Sequence, residues 1–210
     1  MANYVQEMIA KRAAQEVDDG QVINLGIGIP TLVAKYVSTS NIFFHTENGM
    51  LGVDDVNDED IDPNLVNAGK IPVGEASGSS FFHSADSFGM IRGGHVDVAI
   101  LGVLQVDESA RIANWAVPGK TIIGVGGAMD LLVGANKVIV TMTHTSKDGK
   151  SKILKECTYP ITSTRSVDTI ITELAVFKYI DGQLHLVELM PDVTLEQVNA
   201  NTEADFVNSL

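Results

Sequence analysis

The sequence predicts an α/β fold: one domain, with a mixed, mostly parallel sheet flanked by helices. Three observations predict it. Segments with apolar residues every three or four positions alternate with short, wholly apolar segments, the pattern of parallel strands joined by helices. Near the C-terminal end, Asp181-Gly182 lies between two strand-like segments, a hairpin signal that makes the sheet mixed. A length of 210 residues suits one core, since single cores stop growing only at about 250–300 residues.

Taken in order, Val5, Met8, Ile9, Ala13 and Val17 make residues 4–18 an amphipathic helix, and Gly20 is placed for a left-handed cap beyond it. VINLG (22–26) reads as a buried strand. Gly26-Ile27-Gly28-Ile29-Pro30 then leads to a second helix, capped at Thr31 and running through Leu32, Val33 and Tyr36. Residues 41–46 form a strand around Ile42, Phe43 and Phe44, which stops at the turn signal Glu47-Asn48-Gly49. The polar stretch 54–64 is a surface loop, and 74–78 reads as a flexible loop. A helix over about 84–92 ends at Gly93-Gly94. Residues 96–101, 112–117 and 138–142 read as buried strands, and a helix is expected from Ala128. AVFKYI and QLHLVEL form the hairpin arms, and Thr194 with Gln197 is a capping box opening a last short helix. Internal repeats and low-complexity tracts are absent.

The chain has 14 Lys+Arg against 27 Asp+Glu, a formal net charge of −13. Nucleic acid and anionic lipid need a basic footprint, so neither is expected as a partner. The single cysteine, Cys157, has no partner for an internal bridge, which favours a reducing compartment. The first twenty residues mix acids and bases without an apolar core, unlike a signal peptide. Apolar runs reach about ten residues, short of the roughly 20 that cross a membrane as a helix. The expectation is a soluble cytoplasmic protein.

Several motifs fail their own requirements. In a dinucleotide fingerprint starting at Gly26 the third glycine falls on Thr31; in one starting at Gly124 it falls on Met129. Gly119-Lys120-Thr121 resembles a P-loop ending, but Asn114 stands at the first glycine. Asp58, Asp60 and Asp62 mimic a calcium loop whose sixth and twelfth positions are Pro63 and Gly69, so no metal site is expected. The five histidines have no zinc-like spacing, and Cys157 reads as a packed thiol. In Gly74-Glu75-Ala76-Ser77-Gly78 the serine stands one position late for a nucleophile elbow.

Glu47 is the residue that stands out. A glutamate directly after an apolar strand and directly before Asn-Gly is fixed by the strand end, while the turn leaves room for a ligand to approach. A carboxylate held this way can act as base or nucleophile.

The run FHTENGMLG (44–52) resembles the active-site signature of the family I CoA-transferases, and more narrowly their B (β) subunit of the bacterial 3-oxoacid or acetate/butyrate–acetoacetate type. NLGIGIPT (24–31), LVNAGK (65–70), SFGMIRGGHVDVAILGVLQVD (87–107), ANWAVPGK (113–120), GVGGAMDL (124–131) and ITELAVF (171–177) extend the resemblance over nearly the whole chain, in the family's order. It implies the NagB/RpiA-like fold of that family. It implies Glu47 as a covalent nucleophile toward acyl-CoA, and the amide of Gly126 as the donor to the oxyanion. Gly26, Gly28, Asn48 and Gly127 are then the residues that meet CoA. No permanently bound cofactor is implied, since coenzyme A serves as substrate and covalent intermediate. A homologous α (A) subunit is implied as partner in an α2β2 assembly, with acyl-CoA and a short-chain acid such as acetoacetate as substrates. Arg92 and His95 read as structural. An acyl-CoA hydrolase using the same glutamate and a non-catalytic CoA-binding module are the alternatives. Thr46 stands where the family usually has serine; Val53-Asp54-Asp55, residues 75–79 and residues 109–111 also depart, touching loop shape and substrate preference.

Overall fold

The most apolar segments of the chain pair with one another at the middle of a ten-stranded sheet. The computed structural model describes residues 2–67, 69–120, 122 and 124–210. Helix α1 (Ala2–Ala13) is followed by β1 (Val22–Leu25), β2 (Phe43–Thr46), β3 (Met50–Asp54) and β4 (Gly74–Phe81). Then come α2 (Ser84–Arg92), β5 (Val98–Gly102), β6 (Gln105–Asp107), β7 (Ile112–Ala113), α3 (Ala128–Gly134) and β8 (Lys137–Thr141). The chain finishes with β9 (Ile153–Leu154), β10 (Thr169–Ile171), β11 (Ala175–Ile180), β12 (Gln183–Leu189), α4 (Leu195–Asn201) and β13 (Val207–Asn208).

The large sheet has the order β13-β12-β11-β10-β8-β5-β1-β2-β3-β4. Its five central strands, β10, β8, β5, β1 and β2, are parallel, and antiparallel hairpins extend it on both sides. The apolar runs explain this placement, because strands covered on both faces need no polar alternation. Along β5, Val98 and Ile100 face the layer of Ile9, Ile23 and Val33, while Ala99 and Leu101 face the layer of Ile91, Leu131 and Leu132. The first layer is covered by α1, the second by α2 and α3. A small sheet, β7-β6-β9, extends the second layer through Val106, Ile112 and Ile153. Among the described residues no helix is long and apolar enough to cross a membrane.

The expected α/β architecture with a mixed, mostly parallel sheet is present. Details differ for local reasons. The second helix starts at Ile29 and is 3-10 through Tyr36, because Gly28 turns at φ 90° and Pro30 fixes its first turn. Thr31 serves inside it, its N–H and hydroxyl both donating to the Gly28 carbonyl, 3.2 and 2.7 Å away. α1 gives way to a 3-10 turn at Ala14–Glu16 and stops at Val17, so Gly20 shapes the following turn and does not cap the helix. Only Ile112–Ala113 of the segment 112–117 is strand. Residues 74–81, expected as a loop in part, form β4, because β3 offers a ladder from Met50↔Phe81 to Asp54↔Gly74.

Candidate active site

The carboxyl ends of β1, β2, β5 and β8 lie on one edge of the sheet, where ligands bind in open α/β folds. β2 ends at Thr46, and the turn Glu47-Asn48-Gly49 reverses the chain into β3, with Gly49 N–H donating to Thr46 O at 3.1 Å. Gly49 is obligatory: φ is 120°, and a Cβ there would lie 2.0 Å from the Phe82 carbonyl oxygen. The turn leaves Glu47 half-buried and facing the loop that precedes α3.

Beneath Glu47 lies a buried polar chain. Asn24 on β1 stands opposite His45 on β2, and both are out of solvent. Asn24 Nδ2 lies 3.2 Å from Glu47 Oε2, from His45 Nδ1 and from the His45 carbonyl, and shares its two hydrogens among the three. Burial pushes the His45 imidazole down to about 4, so the ring is neutral. With Nδ1 accepting from Asn24, the proton sits on Nε2, which donates to Ser87 Oγ at 2.9 Å. Ser87 passes its own hydrogen to the Thr46 carbonyl at 3.2 Å, returning the chain to β2. Asn24 Oδ1 is buried without a partner.

Facing Glu47 is the glycine run before α3. A Cβ on Gly127 would lie 2.9 Å from Glu47 Cγ and 3.0 Å from Oε1, so the Gly127 backbone packs directly on the carboxylate. Gly124 and Gly126 adopt φ of 121° and 58°, and a Cβ at either would meet no atom within 4 Å. Both open onto a cleft of about 760 Å³. Gly26, Gly28, Glu47, Asn48, Gly126 and Gly127, all expected from sequence, line that cleft together. They do so differently. Gly26 lets the backbone reach β5, its N–H donating to Ile100 O at 2.9 Å, while Gly28 faces open space. The Asn48 side chain is tied to Thr46 by a hydrogen bond from the threonine hydroxyl.

Residues that sequence reasoning passed over complete the site. Lys70 and Lys152 are the cations on the described lining, and Glu47 is its one carboxylate. Gly102 closes the β5 end, where a Cβ would lie 2.8 Å from Ile27 O. Asn24 left a signal, a lone amide inside an apolar strand, and Lys70 ends the family-like segment LVNAGK; Lys152 left none, since isolated lysines usually mark solvated surface. Arg92 pairs with Asp130 at 2.6 Å and lies over Phe88, tying α2 to α3 outside the cleft. His144 is buried between Thr172 and Thr202, and Cys157 is a partly buried thiol pushed up to about 12, chiefly by burial. These side chains hold the fold.

The family described as coenzyme A transferase matches residues 6–201. The chain belongs to the coenzyme A transferase family. Its CoA-transferase relatives include the beta subunit of the acetate CoA-transferase of Haemophilus influenzae, 53% identical over 96% of this chain and 91% of the relative. One subunit of the succinyl-CoA:3-ketoacid coenzyme A transferase of Helicobacter pylori is 52% identical over 96% of this chain and 98% of that one. Among solved structures, an acyl-CoA transferase from Escherichia coli O157:H7 superposes with a TM-score of 0.78 at 24% identity, over 98% of this chain. The thioester complex of that transferase with CoA gives 0.76 at 25% identity. This CoA-transferase chain spans about two fifths of those solved chains, 42% of their length.

Proposed function

We propose that this CoA-transferase moves CoA between a short-chain acyl-CoA and a carboxylic acid such as acetoacetate, with Glu47 as the covalent nucleophile. The observation that carries the reading is the setting of Glu47. It is the one carboxylate on the described cleft lining, fixed by a strand end, held by Asn24 at 3.2 Å and walled by the backbone of Gly127.

The chemistry follows from those groups. The Glu47 carboxylate attacks the thioester carbonyl; the C–S bond breaks, CoA leaves as thiolate, and an acyl-glutamyl anhydride remains. The thiolate attacks the glutamyl carbonyl, the first acid leaves as carboxylate, and Glu47 carries CoA as a thioester. A second carboxylate attacks that thioester and the same steps run in reverse. Each half-reaction passes through the higher-energy anhydride but trades one thioester for another of similar energy, so no nucleotide is consumed. Release of the first acid before the second binds makes the kinetics ping-pong.

Both attacks develop negative charge on a carbonyl oxygen, for which fixed donors are needed. The amide of Gly126 fills this role, its φ of 58° turning the backbone at the cleft wall beside Glu47. Gly28 and Asn48, exposed on the lining, meet CoA, with Gly26 and Gly127 leaving room for it. The working enzyme pairs this chain with a homologous α subunit, as α2β2, in the cytoplasm. The Haemophilus and Helicobacter relatives are each named as one subunit of their transferase, which supports the pairing.

The test uses the chain co-expressed with its α partner and given acetoacetyl-CoA without acceptor acid. A CoA adduct on the Glu47 peptide, absent in Glu47→Gln, is the expected result by mass spectrometry. A complex that binds CoA yet forms no adduct would overturn the nucleophile assignment. Release of free CoA at the full transfer rate without acceptor would move the reading to a hydrolase.

A further inference from the structure

Lys152 is a half-buried cation with no anion of its own. It follows the small β-bridge between Thr145 and Ser151, where its N–H donates to the His144 carbonyl at 3.0 Å. Its Nζ donates to Thr143 Oγ1 at 3.2 Å, and Thr143 gives its own hydrogen to the Thr145 carbonyl at 3.0 Å. The lysines that form ion pairs are Lys137, Lys150 and Lys155; among the described residues no carboxylate lies within 4 Å of Lys152. Glu173, the acid that acts on it from a distance, already accepts from His144 N–H at 2.8 Å. Burial pushes the ammonium down to about 8 against the pull of Glu173, so an anion brought beside it is favoured. Lys70, the other cleft cation, is exposed on a turn.

We infer that Lys152 binds the reacting carboxylate of the acid substrate. The inference rests on the reading of Glu47 given above, and charge balance explains why a carboxylate is the ligand. In the free enzyme Glu47 is the cleft's negative charge, and it repels a second carboxylate. Once Glu47 carries CoA as a neutral thioester, the cleft holds only cationic side chains, and the buried one accepts the incoming acid. The acid loses its charge when it becomes a thioester, so Lys152 tells an acid from its CoA ester. It also supplies local attraction for an anion in a chain of net charge −13.

The experiment is steady-state kinetics of the complex with the α subunit, comparing wild type, Lys152→Met and Lys152→Arg. Thioester loading on Glu47 from acyl-CoA alone is measured beside it, with thermal midpoints as a check on folding. Lys152→Met should raise KM for acetoacetate and for acetate at least about tenfold, the loss of one charge-assisted hydrogen bond. Its KM for acyl-CoA should stay within about twofold and its thioester loading should not fall. Lys152→Arg keeps the charge and should hold the acid KM within about threefold of wild type. An unchanged acid KM in Lys152→Met with normal loading overturns the inference. So does a raised KM for acyl-CoA alone, which would place a CoA phosphate on Lys152. Absence of the thioester in the wild type overturns the Glu47 reading instead, and the two failures are distinct.

Discussion

Gly127→Ala disturbs the geometry of Glu47 at a modest cost to the fold. At φ −81° and ψ −2° alanine fits the backbone, and as the residue that caps α3 it is poorer than glycine, a cost of about 0.5 kcal/mol. The new methyl would sit 2.9 Å from Glu47 Cγ, 3.0 Å from Oε1 and 3.3 Å from Cδ. Nonbonded carbons pack at about 3.5–4.0 Å, so the carboxylate must retreat by roughly 0.6–1 Å. The side chain is flexible, so the move costs about 1 kcal/mol in rotamer energy, with a similar amount for the loosened bond from Asn24. For the reaction the same move is expensive, since about 1 Å of misplacement costs up to about 10²-fold. kcat/KM for transfer should fall by about ten- to a hundredfold, or about 1.4–2.7 kcal/mol. The midpoint of unfolding should fall by about 5–10 °C, as these costs come to about 2.5 kcal/mol and each 1 kcal/mol moves a domain of this size by about 2–4 °C. The assay is the initial rate of acetoacetyl-CoA formation by the complex, with thioester loading of the Glu47 peptide measured in parallel. Full activity in Gly127→Ala would refute the reasoning, because Glu47 would then react from a position away from Gly127.

Three further outcomes follow from the same geometry. Asn24→Ala removes the amide that joins Glu47 to His45 and leaves Nδ1 of a buried imidazole unpaired, so kcat should fall at least about tenfold and stability by about 1–3 kcal/mol; retention of both would show the network to be idle. His45 and His144 are both held at about 4 in the folded chain against an ordinary 6.5, His45 by burial and His144 by burial and then Lys152. The unfolded state therefore binds more protons between those values: the stability is fully present above about pH 6.5 and is lost as pH falls toward 4, by up to about 1.4 kcal/mol per pH unit for each ring. Denaturant melts across this range should show that slope, and His144→Gln should flatten it; an unaltered slope in the variant would assign the effect to carboxylates. Cys157, pushed up to about 12, should react with a thiol reagent at pH 8 far more slowly in the native chain than in urea, and equal rates would contradict its burial.

The fold was legible wherever a segment answered to one local rule. Val98–Leu101 and Val138–Val140 are buried on both faces and carried no ambiguity about strand or core. The hairpin at Asp181-Gly182 and the capping box of Thr194 with Gln197 are set by residues within a few positions of each other, and both are present. Gly74–Phe81 was not legible. Glycines and serines give it little strand propensity, and it is extended because β3 supplies hydrogen-bond partners from Met50↔Phe81 to Asp54↔Gly74, well outside any local window. The site divides along the same line. Glu47 stood out by its strand-end position, and Asn48 and the two glycine loops were singled out by the family resemblance, whereas Lys152 sits in a lysine-rich polar stretch, KDGKSK, that reads as plain surface.

By itself, then, the sequence determined the α/β alternation, the buried strands and the place of Glu47 between an apolar strand and an Asn-Gly turn, because each is a property of short-range pattern and composition. Only the tertiary structure decided what surrounds that carboxylate. Asn24 comes from 23 positions upstream, Gly127 from 80 positions downstream and Lys152 from 105 positions downstream in the numbering of the chain. Gly127 and Lys152 line one cleft with Glu47, and Asn24 lies beneath it, because β1, β2, β5 and β8 run parallel and bring the loops at their carboxyl ends to one edge of the sheet. Local preference cannot encode that meeting, which is fixed by the pairing of strands and the burial of both faces of the sheet.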